Sequence, residues 1–106
     1  MIVYNKLIRD KIPQIIESKG KKAEVRVMDS DEYTKMLNVK LQEELDEYKE
    51  ANDESDQIAE LADLVEVVYA ILDNKGLSIE EFEKVRLAKQ AERGGFKDKL
   101  LLVKVE

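Results

Sequence analysis

The sequence predicts a mainly helical protein with at most a minor β element, and three observations carry that reading. Apolar residues recur at three- and four-residue intervals over most of the chain. Capping residues and glycines fall where those periodic stretches start and stop. Only three short segments, Met1–Tyr4, Ala23–Val27 and Leu100–Val105, have the composition or alternation of strands.

Taken in order, Lys6 to Lys19 carries Leu7, Ile8, Ile12, Ile15 and Ile16 at helical spacing. Pro13 lies within it and is tolerated only if the helix starts near Asp10–Ile12, because proline lacks a donor and fits the first turn. Gly20 ends the segment. Asp29, Ser30 and Asp31 supply N-caps for a helix from about Asp31 to Ala51. Asn52–Glu54 is a short polar turn, and Ser55 is a cap for a second long helix that runs to about Lys75 and closes at Gly76. Ser78 with Glu81 three residues on makes a capping box for a third long helix, which stops at Gly94-Gly95.

The 106 residues are read as one domain, 1–106, with no repeat or linker. Composition excludes much chemistry. There is no cysteine and no histidine, so disulfides, thiolate or imidazole zinc sites, cysteine nucleophiles and histidine general bases are all ruled out. Any metal must be a hard ion held by carboxylate oxygen: Mg²⁺, Mn²⁺ or Ca²⁺. Twenty-four acids against eighteen bases give a net charge of −6, which argues against a nucleic-acid polymer as partner. The start lacks a secretory apolar region, and the longest apolar run, Val67–Leu72, is far short of a membrane span. A cytoplasmic protein with no membrane partner is expected.

The acids are patterned. On the helix around Glu44, Leu37, Leu41, Leu45 and Tyr48 form one stripe. Glu44 falls about 55° from its centre, and Glu47 roughly 60° further round on the same flank, with Lys40 between them. Glu43 points more outward. The next helix is apolar nearly all round from Ile58 to Leu72 and should be buried on most sides; Glu60, Asp63 and Glu66 interrupt it. Acidic pairs three apart are ordinary on a surface with 40% charged residues. A pair on a helix with so little polar surface is not, because an unpaired buried carboxylate costs several kcal/mol. In an antiparallel hairpin turning between Asp53 and Glu54, Glu44 lies level with Asp63 and Glu47 with Glu60. Four carboxylates then converge as an oxygen site for Mg²⁺. Cations stand elsewhere: Lys6 and Arg9 near the start, and Arg86, Lys89 and Arg93 on one stripe of the third long helix. Carboxylates, a hard ion and such cations suit a polyphosphate. Gly94-Gly95 is most simply a helix stop and also allows close approach of an anion.

Glu43-Glu44-Leu45-Asp46-Glu47 followed by Glu60-Leu61-Ala62-Asp63 resembles the EExxE…ExxD signature of the all-α nucleoside triphosphate pyrophosphohydrolases, the MazG family and its relatives, including phosphoribosyl-ATP pyrophosphohydrolase. Asn5–Pro13 and Lys89–Phe96 resemble the flanks of a MazG-like subgroup of short proteins, so the resemblance covers about residues 3–96. It implies a helical bundle working as a homodimer or homotetramer. It also implies hydrolysis of a nucleotide substrate between the α and β phosphates, giving the monophosphate and pyrophosphate. The implied metal ligands are Glu44, Glu47, Glu60 and Asp63, with Glu43 auxiliary. Glu43 or Glu47 would orient or deprotonate water, since no histidine is present. Lys6, Arg9, Lys89 and Arg93 would hold substrate phosphate. Two alternatives stay open. One is a non-catalytic oligomerisation or interaction module of the same fold. The other is phosphoribosyl-ATP as the substrate, from which the flanking motifs lean away.

Overall fold

The computed structural model describes residues 1–106 and is all helical. Four helices follow in order: α1 (Ile12–Ser18), α2 (Ser30–Glu50), α3 (Glu54–Asn74) and α4 (Ile79–Arg93). None of the three expected strands forms. Met1–Tyr4, Ala23–Val27 and Leu100–Val105 form no strand or bridge, because a strand needs a hydrogen-bonded neighbour and none pairs with them.

The expected first helix is shorter than its periodicity. It begins at Ile12, and the N-terminal part, Lys6 to Lys11, lies outside it. Pro13 therefore sits in the first turn, where its missing donor costs nothing. Asp29 caps α2 by accepting from the Glu32 backbone N–H at 2.9 Å. Arg26 grips the Glu32 carboxylate with both terminal nitrogens at 2.7 Å, tying the extended lead-in to the first turn of α2. Asp53, not Ser55, caps α3, accepting from the Asp56 N–H at 2.8 Å. Asp53 has extended backbone immediately before the first helical residue, so its side chain reaches the free donors. The Ser78–Glu81 capping box forms as expected. After α3 the chain leaves through Gly76 at φ 76°, with Leu77 N–H donating to the Leu72 carbonyl at 2.9 Å and Gly76 N–H to Asp73 at 3.0 Å. That left-handed closure is why glycine stands there.

α2 and α3 form the antiparallel hairpin that organises the molecule, and α4 packs on α3 alone. Asn74 donates to Thr34 at 3.0 Å near the open end, which fixes the register over nearly the full length of both helices. Apolar burial is slight: Leu37, Val67 and Leu72 are buried, and the only other buried residue is Glu44. The expectation that α3 is covered on most sides does not hold within one chain. Ile58, Leu61, Val65 and Tyr69 are 60%, 40%, 43% and 36% exposed, since α2 covers only one flank and α4 little of the other. The radius of gyration is 18.1 Å, against about 13 Å for a compact domain of this length.

Candidate metal centre

The hairpin register decides the site. Glu44 on α2 and Glu60 and Asp63 on α3 bring carboxylate oxygens to within 4.8 Å of one another. Glu43, Glu44 and Glu47 make a second such group on α2, so Glu44 belongs to both. All four acids read from the sequence as ligands are therefore gathered, with Glu43 beside them.

Glu44 is 5% exposed. Its Oε2 and the Oε2 of Glu60 are buried without a hydrogen-bond partner. Such orphaned acceptors are costly unless something positive satisfies them. An octahedral Mg²⁺ holds ligand oxygens about 3–4 Å apart. The three oxygens lie within 4.8 Å of one another, and the all-oxygen donor set fits a hard divalent cation. Burial pushes the Glu44 carboxyl above its ordinary range, and the hydrogen bond and charge of Glu47 push it further, against the pull of Lys40. Glu44 thus keeps its proton more readily than an ordinary glutamate. Glu47 is also raised, first by loss of surrounding water and then by Glu60 and Glu43, with the Glu44 hydrogen bond acting the other way. Mutual repulsion and desolvation of this kind are what a bound cation removes.

Cations rim the acids. Lys40 Nζ stands 3.3 Å from Glu43 and 3.4 Å from Glu44. Helical spacing placed it between Glu44 and Glu47; its ammonium lies instead between Glu43 and Glu44. Sequence reading gave Lys40 no role, although its i+3 and i+4 acids are the usual signal of such pairing. Lys6 Nζ lies 3.6 Å from Glu43, and Arg9 donates to Asp63 at 2.6 Å. Asn5, at φ 47°, turns the N-terminal strap so that Tyr4 lies with its ring 5.8 Å from the Lys6 ammonium. The strap and the hairpin enclose a cavity of about 340 Å³ lined by Lys6, Ile8, Arg9, Ile12, Lys40, Glu44 and Asp63. The strap side brings Lys6 and Arg9, and the hairpin side Glu44 and Asp63 together with Lys40. Ile8 and Ile12 were read only as apolar helix positions; they line the space between.

Lys89 and Arg93 are not brought here. Both are exposed on α4, form no ion pair and do not line that cavity. Arg86, of the same stripe, is taken by Glu83 at 2.7 Å.

Comparison with curated proteins and with solved structures gives no match. A family model, phosphoribosyl-ATP pyrophosphohydrolase, matches residues 9–89. The match takes in Arg9, Lys40, both acidic motifs and most of α4. No helix is long and apolar enough to cross a membrane. Matched over most of its length, and with the acidic motifs assembled in space, the chain belongs to the phosphoribosyl-ATP pyrophosphohydrolase family, within the MazG-like all-α superfamily of generally divalent-metal-dependent hydrolases.

Proposed function

We propose that the protein hydrolyses a nucleoside triphosphate, or a related nucleotide, at the α–β phosphoanhydride, releasing pyrophosphate. The single observation that carries this reading is the pair of orphaned carboxylate oxygens, Glu44 Oε2 and Glu60 Oε2, buried beside Asp63 and faced by Lys6, Arg9 and Lys40. Acids arranged for a hard cation, with exchangeable cations paired at the rim, suit a metal-bound polyphosphate better than any neutral ligand.

Glu44, Glu47, Glu60 and Asp63 would hold Mg²⁺ or Mn²⁺, which when bound neutralises phosphate charge and lowers the pKa of water. Arg9 then exchanges Asp63 for a phosphate oxygen, and Lys6 moves from Glu43 in the same way. Glu47 is the better base of the two candidates. No lysine or arginine pairs with it, and its carboxyl is held above the usual range, closer to the working pH of a general base. Glu43, gripped by Lys6 and Lys40, serves to position those cations.

The family match favours phosphoribosyl-ATP as the nucleotide, a second reading with the same bond cleaved. A homodimer or homotetramer is proposed as the working form, since the apolar face of α3 is uncovered in one chain. The test is a product-resolved screen of nucleoside triphosphates and phosphoribosyl-ATP with Mg²⁺ or Mn²⁺. Pyrophosphate and the matching monophosphate are expected. Orthophosphate as the first product refutes the bond assignment, and no turnover of any nucleotide favours a silent interaction module.

A further inference from the structure

An aromatic side chain normally buries its ring in a core or an interface. Tyr4 does not. It is 67% exposed, and its ring centre stands 5.8 Å from the Lys6 ammonium. At that distance the negative face of the ring attracts the cation. Asn5, between the two, has φ 47°, a left-handed backbone that asparagine tolerates better than most residues with a side chain. A strap held in that conformation keeps the ring beside the ammonium.

Lys6 is one of the cations of the acidic cavity and pairs with Glu43 at 3.6 Å. Ile8, on the same strap, and Ile12, in the first turn of α1, line that cavity too. The wall thus offers charged groups for metal and phosphate, two aliphatic side chains, and no neutral side chain that hydrogen-bonds a base edge. No aromatic residue lines the cavity, and none but Tyr4 stands over one of its cations. In a nucleotide one ribose separates the base from the α-phosphate. A cation that holds phosphate therefore serves a nucleotide best with a flat apolar surface close by, and the Tyr4 ring is that surface. Lys6 covers part of the ring, and the rest is open to solvent. Every base has a π face, so such a surface accepts purine and pyrimidine alike.

We propose that Tyr4 is the base seat of this site. Its ring stacks on the base of a nucleotide whose phosphates lie against Lys6 and Arg9, beside the aliphatic wall of Ile8 and Ile12. The seat selects nucleotides over polyphosphates that carry no base. It rests on the hydrolase reading above for the place of the phosphates, and binding measurements separate the two.

Binding to wild type, Tyr4→Ala and Tyr4→Phe is measured by titration calorimetry in Mg²⁺ with two probes. One is α,β-methylene-ATP, which resists cleavage between its α and β phosphates. The other is inorganic triphosphate, which has no base. Tyr4→Ala is expected to weaken the analogue about tenfold, the scale of one base stacked on an aromatic side chain, and to leave triphosphate binding unchanged. Tyr4→Phe keeps both affinities, because the ring face and not the hydroxyl makes the contact. The exposure of Tyr4 leaves the fold intact in both variants, which circular dichroism checks. Equal weakening of both probes means that Tyr4 acts only by placing Lys6, and overturns the seat. So does an analogue affinity that Tyr4→Ala leaves unchanged, or a loss in Tyr4→Phe as large as in Tyr4→Ala. No binding of the analogue to wild type overturns the seat together with the hydrolase reading. If wild type releases no pyrophosphate from any nucleotide yet binds the analogue with this dependence on Tyr4, the hydrolase reading fails and the seat stands.

Discussion

Arg9 and Asp63, 54 positions apart in the chain, meet at 2.6 Å. The contact places a guanidinium on an acid that also belongs to the Glu44–Glu60–Asp63 group. No helix–helix contact holds α1 to the hairpin, so this pair and the Lys6–Glu43 pair are the ionic fastenings of the N-terminal strap. Both are partly exposed, and exposed pairs of this kind contribute about 1 kcal/mol or less each. They are strong enough to position and weak enough to exchange.

Arg9→Ala should therefore lower stability by no more than about 1 kcal/mol while raising KM for the nucleotide roughly tenfold or more, as loss of one charge-assisted phosphate contact does. Denaturant melts and steady-state pyrophosphate release separate the two effects. An unchanged KM removes Arg9 from substrate binding.

Glu44→Gln should cut turnover at least a hundredfold with helical content unchanged, as should Asp63→Asn. Glu44→Gln should also make the metal-free protein more stable by roughly 1 kcal/mol, because the amide occupies the same volume without a charge to desolvate. Circular dichroism melts in chelator read this directly. A large loss of stability would mean that Glu44 serves the fold.

Mg²⁺ or Mn²⁺ should raise the melting temperature. An ion at a hundred times its dissociation constant adds about 2.7 kcal/mol, which for a domain of this size is roughly 10 °C. Asp63→Asn should abolish most of the shift, and titration by scanning calorimetry checks it.

Without metal, stability should rise as pH falls from neutrality toward 4.5. Glu44 and Glu47 have pKa values raised above the ordinary glutamate value of 4.5. The native state thus binds protons that the unfolded chain does not, and raising pH through the folded values removes that stabilisation. With Mg²⁺ the slope should reverse, since the ion needs the carboxylates ionised. Denaturant midpoints from pH 4.5 to 8, with and without metal, give both slopes. Parallel slopes would detach the metal from these acids.

The acidic centre was legible in sequence because it depends on two things that sequence carries well. Helical spacing sets which acids share a flank, and the short polar turn at Asn52–Glu54 sets the level at which Glu44 meets Asp63. The β element was not legible. Val25, Val27 and Leu100–Val105 have strand-like composition, but a strand needs a neighbour, and the fold of one chain offers none. The placing of Lys89 and Arg93 was missed for a related reason. Periodicity put them on one stripe of α4 correctly, but nothing local says which helices α4 packs against. Ile8 and Ile12 were read only as apolar helix positions because a cavity wall and a helix face present the same apolar pattern.

Of the four residues that this chain withdraws from water, one is a carboxylate. Such a molecule carries its working tension in the place where most proteins keep their ballast. If these acids hold a divalent ion as proposed, its removal loosens the hairpin around Glu44, and limited proteolysis with and without chelator reads the difference.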